Sequence, residues 1–174
     1  DYKIADEHMY YFYSTIKQMN EFIKTNAGDA NGETLDNETL KTIVPKFIEV
    51  MDDDFNSALA ISNLHIVFRD INNIMKTANK ANKQIVANTL AKALEDIKSV
   101  YKILGFFEQE PDEFISNMKE KYLGKLNISV NEIENKIAKR AEAKKNKDYE
   151  TADAIRAELD KKGILLNDTK DGTT

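Results

Sequence analysis

Six cations, Lys136, Lys139, Arg140, Lys144, Lys145 and Lys147, fall within about three helical turns, and Tyr149, Asp153 and Asp168 follow them. Lysine and arginine in that density bind phosphate with salt-dependent affinity. An exposed aromatic ring stacks on an unpaired base. An ionised carboxylate only accepts hydrogen bonds, so against a base edge it selects amino and imino groups. Such edges are reached mainly in single-stranded loops. Each residue also has a plainer reading. The basic run is a solvated face in which Glu134 and Glu142 form helix pairs. Tyr149 opens the series Tyr149, Ala152, Ile155, Leu159, the expected buried face of its helix. Asp153 pairs with Arg156 one turn on, and Asp168 is a turn residue. The combination points elsewhere: carboxylates repel phosphate, and here they stand at separate places inside a basic segment.

The remaining reactive side chains assemble nothing comparable. Asp52, Asp53 and Asp54 are successive acids, but they lack the alternate spacing and glycine of a calcium loop. Asp54 or Asn56 is expected to cap the helix that follows. A metal-dependent hydrolase built on these acids is the third-ranked reading. His8 and His65 have no serine, cysteine or second histidine at ligand spacing. No glycine-rich phosphate loop is present. An active site within these residues is not expected.

Helical periodicity supplies the scaffold. Met9, Phe12, Ile16, Met19 and Ile23 mark a long first helix, ended near Ala27-Gly28. A second helical stretch covers about 39–51, kinked or restarted at Val44-Pro45. Ile61, Leu64, Phe68, Ile71 and Met75 mark a third. Val86, Leu90, Leu94, Ile97, Tyr101 and Leu104 mark a fourth, stopped by Gly105. Pro111 opens a shorter helix to about 123. Ser129 and Glu132 form a capping box for a helix ending near Asn146, and Asp148 caps another that Gly163 terminates. Ile164–Leu166 reads as a strand and Asp171-Gly172 as a tight turn. The predicted fold is therefore mainly α: an antiparallel helical bundle over residues 1–123, then a small mixed α/β module over 124–174.

Composition agrees with two modules. Of 174 residues, the first 118 hold 19 acids and 12 bases, and the remaining 56 hold 11 acids and 13 bases. With no cysteine there is no disulfide or thiolate metal site, and a cytoplasmic setting is expected. No run is long enough to span a membrane and no signal peptide is visible. The chain opens on Asp1 rather than Met, as expected of a segment of a longer protein.

Two motifs carry a resemblance. AEAKKNKDYETADAIRAELDKKGILLNDTKDGTT is similar to the ending of cysteinyl-tRNA synthetases, where a basic helix leads into aromatic–x–x–A–D–x–x–R, then G-I-x-L-x-D and G-T. FIEVMDDDFNSALAISNLHIVFRDINNIM resembles that family's helical stretch around M-D-D-D-F-N. The resemblance implies a DALR-type bundle followed by an anticodon-binding domain, with tRNA and the enzyme's own catalytic domain as partners, and neither DNA nor membrane. It implies anticodon contacts at Lys144, Tyr149, Asp153 and Asp168, with Arg140 and nearby lysines holding backbone or a guanine edge. Lys144 stands where the family usually has arginine, and Tyr149 where it usually has tryptophan. Zinc, ATP and magnesium are implied only for the catalytic domain. The segment KNKDYETADAIRAELDKKG also resembles the helical hairpin by which nucleotide-excision repair subunits bind one another, so a protein-docking module without RNA affinity is the alternative.

Overall fold

The structure, a computed structural model, describes residues 2–126, 128–166, 168–169 and 172–173, with backbone alone at residue 2 and at the last four. Two compact units divide it, Asp1–Ile115 and Ser116–Thr174. The expected boundary after Leu123 lies inside the helix Pro111–Lys125.

The first unit is a helical bundle. Its elements are α1 (Tyr2–Thr25), the short α2 (Glu38–Lys41), α3 (Ile43–Asp52), α4 (Ser57–Thr77) and α5 (Lys83–Tyr101), followed by a 3-10 turn at Lys102–Leu104. The core is made by the stripes that periodicity marked: Phe12, Ile16 and Met19 from α1, Leu64, Phe68 and Ile71 from α4, Val86, Leu90 and Ile97 from α5, each at most 1% exposed. Phe12 and Phe68 stack with ring centroids 4.9 Å apart. Enclosing each such side chain contributes about 1.5–3 kcal/mol, which sets the register of the three long helices. Tyr101 reaches across to donate its hydroxyl to the Ala60 carbonyl at 2.8 Å, and burial raises that hydroxyl's pKa. The helical stretch around Pro45 restarts at Ile43, which puts proline in the first turn of α3, where its missing amide costs nothing. Gly105, at φ 72°, stops the fourth expected helix.

One feature of this unit had no signal in hydrophobic periodicity. Asn88 and Thr89 are buried polar residues on α5. The Asn88 amide accepts from the Asp29 N–H at 2.8 Å and donates to the Glu33 carbonyl at 3.0 Å. Thr89 Oγ1 accepts from the Leu35 N–H at 2.8 Å. The irregular connection after α1 thus satisfies its backbone on α5 side chains, as buried polar groups must. It also lies so close that a Cβ on Gly28 would sit 2.6 Å from the Ala87 carbonyl oxygen.

The second unit contains the later part of α6 (Pro111–Lys125), then α7 (Val130–Lys145) and α8 (Tyr149–Lys161). The capping box forms as expected: Ser129 N–H donates to Glu132 Oε2 at 2.8 Å and Glu132 N–H to Ser129 Oγ at 3.2 Å. Leu159, fully buried, centres a small core with Ile128 and Leu166, against which Leu123, Ile133, Ile137, Ile155 and Ile164 pack. Gly163, at φ 77°, ends α8 in a left-handed cap that brings Ile164 N–H to the Leu159 carbonyl at 3.0 Å.

The mixed α/β module is a misreading: this unit is helical. Ile164–Leu166 forms no strand: among the described residues it pairs with no other segment, and Ile164 spends its amide on closing α8. The apolar run is explained by burial alone, with Leu166 inside and Leu165 exposed. The only β pairing among the described residues is two residues long on each side, β1 (Asp168–Thr169) against β2 (Gly172–Thr173), antiparallel, too short to cover a face. Asp171 of the expected turn lies outside the described residues.

Candidate nucleic-acid interface

The hairpin of α7 and α8 is set by its connection. Asn146 caps α7, Lys147 takes the left-handed conformation at φ 59°, and Asp148 N–H returns to the Ala143 carbonyl at 2.9 Å. This is the six-to-one closure of a helix C-terminus, usually built on glycine. A side chain there costs about 1–2 kcal/mol. Asp148 then accepts from the Thr151 N–H at 3.1 Å and starts α8; hydrogen bonding from the Thr151 side chain first, and from that N–H second, holds its carboxyl below the usual range. So short a link makes the helices antiparallel. Lys136 and Glu158, equally far from Lys147 along the chain, meet across them at 2.5 Å. That hydrogen bond lowers the Glu158 pKa and commits Lys136 to the protein rather than to an incoming phosphate.

The expected contact residues separate on this frame. Lys144, in the last turn of α7, and Tyr149, the first residue of α8, flank the turn and are both exposed, Tyr149 at 62%. The ring therefore does not join the buried face, which consists of Ala152, half-buried Ile155 and Leu159. At the first position of α8 it precedes the point where the two helices close on each other. Asp153 is exposed one turn along from Tyr149 on the same side of α8. The expected Asp153–Arg156 ion pair does not form. Asp168 lies within β1 rather than after a strand, and its side chain is outside the described residues.

Arg140 behaves differently from its basic neighbours. It is 2% exposed, on the inward line Ile133, Ile137, Arg140, Ala143 of α7, so a direct hold on backbone or a guanine edge is not what this conformation offers. Its helical spacing carried that signal and its charge concealed it. Lys139, Lys145 and Lys147 remain on the exposed faces. A residue the charge reading passed over is Arg156, exposed on α8.

The sequence has no cysteine, and among the described residues no three His, Asp or Glu side chains converge. His8 and His65 meet ring to ring, centroids 4.3 Å apart, within an aromatic cluster with Tyr11 and Phe12. Asp52 ends α3 and Asp53 caps it, while Asn56 takes up the capping of α4 by accepting from the Leu59 N–H at 3.1 Å. Among the described residues no helix is long and apolar enough to cross a membrane.

Comparison with known proteins agrees with the motifs. Residues 46–108 match the family described as DALR domain. The chain is 37% identical over 151 residues to the cysteine–tRNA ligase of Geotalea daltonii, covering 86% of this chain and 30% of that protein. It is 35% identical over 163 residues to that of Thermodesulfovibrio yellowstonii, covering 92% and 33%. With the chloroplastic/mitochondrial cysteine–tRNA ligase of Arabidopsis thaliana it shares 30% identity over 174 residues, covering 98% and 31%. The chain thus spans about a third of the length of the curated relatives it matches. It belongs to the cysteine–tRNA ligase family and carries that family's DALR domain.

Proposed function

We propose that this chain is the C-terminal, tRNA-holding region of a cysteine–tRNA ligase, and that the α7–α8 hairpin reads the anticodon. In such an enzyme ATP-dependent activation of cysteine and its transfer to tRNA belong to the remaining two thirds of the protein. The observation that carries the reading is the exposed ring of Tyr149, beside exposed Lys144 and Asp153 at one end of the hairpin. Lys144 attracts phosphate or a guanine edge. Tyr149 stacks on an unpaired loop base, and the carboxylates of Asp153 and Asp168 accept from base amino groups. Each good base contact discriminates by about 1–3 kcal/mol. Arg140, buried on the inward line of α7, positions that helix rather than touching RNA.

Filter-binding of the 174-residue chain to cysteine tRNA, over a salt series and with altered anticodons, tests this. Binding that weakens with salt, and whose anticodon preference is lost in Asp153→Asn and Asp168→Asn, is expected. No binding at low salt, or self-association without RNA affinity, overturns the proposal and favours the protein-docking alternative.

A further inference from the structure

We infer that Arg156 is the phosphate-holding residue that makes the acidic shoulder of α8 tolerable to RNA. This deepens the anticodon-binding reading and rests on it. Tyr149, Asp153, Arg156 and Asp160 follow one another at helical spacings of four, three and four, so they form a single line off the buried stripe of Ala152, Ile155 and Leu159. The helix holds four acids, Glu150, Asp153, Glu158 and Asp160, against Arg156 and Lys161. A nucleic-acid strand laid on Tyr149 and Asp153 therefore meets a surface of the wrong sign unless a cation stands in the same line. Arg156 is the cation of that line, about 10 Å along the axis from Tyr149.

It is also available. Flanked by Asp153 and Asp160 at helix-pair spacing, Arg156 is exposed and forms no ion pair with any described residue. Two nearby lysines are engaged instead, both with Glu158: Lys136 from α7 at 2.5 Å and Lys162 at the end of α8 at 3.9 Å. A guanidinium presents a planar fork that matches two phosphate oxygens, which a lysine at the same place does not. The division of labour is then explicit. Asp153 selects a base and Arg156 holds the backbone beside it, so the loss of Arg156 weakens every anticodon equally.

The test measures binding of Arg156→Ala and Arg156→Lys to the same tRNA panel across the salt series. Arg156→Ala is expected to weaken binding on the order of tenfold for all anticodons and to lower the slope of log affinity against log salt by roughly one. Arg156→Lys is expected to keep the slope and lose part of the affinity. Unchanged affinity and slope in Arg156→Ala overturn the assignment, and so does a loss confined to one anticodon. Failure of the wild-type chain to bind any tRNA is a separate result, which removes the anticodon-binding reading itself. Far-ultraviolet circular dichroism on each variant confirms that the helices persist, as expected for an exposed position.

Discussion

Tyr149→Ala separates a stacking residue from a packing residue more sharply than any other change in the hairpin. The ring is 62% exposed. A fully enclosed tyrosine buries about 150–250 Å², so at that exposure at most roughly 95 Å² is covered. At about 25 cal/mol/Å² this limits the folding loss to about 2 kcal/mol, and the helix preference of alanine offsets part of it. If the ring stacks on an anticodon-loop base, the same substitution removes about 1–3 kcal/mol of binding, or roughly 5- to 150-fold in affinity. Urea unfolding and tRNA filter-binding on the same preparation report the two quantities. A small shift in unfolding midpoint with a large loss of affinity is expected, and Tyr149→Phe is expected to keep both, since stacking needs the ring and not the hydroxyl. An alanine variant that binds tRNA like the wild type refutes the stacking role outright.

Two further outcomes concern the bundle. Asn88→Ala orphans the Asp29 N–H and the Glu33 carbonyl, and at about 1–3 kcal/mol per stranded group the cost is expected to be roughly 2–6 kcal/mol. It is read as a lower urea midpoint with faster hydrogen exchange at the Asp29 amide, and unaltered exchange there contradicts the role given to Asn88. The His65 imidazole is held below its ordinary pKa by burial and, second, by His8, so the folded state disfavours its proton. The stabilising contribution of neutral His65 is then complete above the unfolded value of about 6.5 and is lost as pH falls below it. Urea midpoints measured between pH 7 and pH 5 are expected to decline less in His65→Leu than in the wild type; equal declines exclude His65 as the source.

Much of the molecule is local and was therefore legible. A stripe such as Phe12, Ile16, Met19 is a property of one helix, and so are the capping pair of Ser129 and Glu132 and the left-handed stops at Gly105 and Gly163. Each satisfies or buries groups a few residues apart, and no distant partner is needed to decide it. The β reading of Ile164–Leu166 failed because a short apolar run looks the same whether it pairs in a sheet or closes over a small core.

Residue types and their intervals along the chain settled that long helices form, where they start and stop, and which side of each is greasy. Tertiary contact alone decided the fate of individual polar and aromatic side chains. Arg140 went inside on the inward line of its helix although it carries a charge, and Tyr149 stayed outside although it continues the apolar series of its own. Asn88 was drawn into the interior by backbone groups more than fifty positions away. Whether a charge or a ring meets solvent depends on what another element brings to it, and that distance is not encoded in any local period.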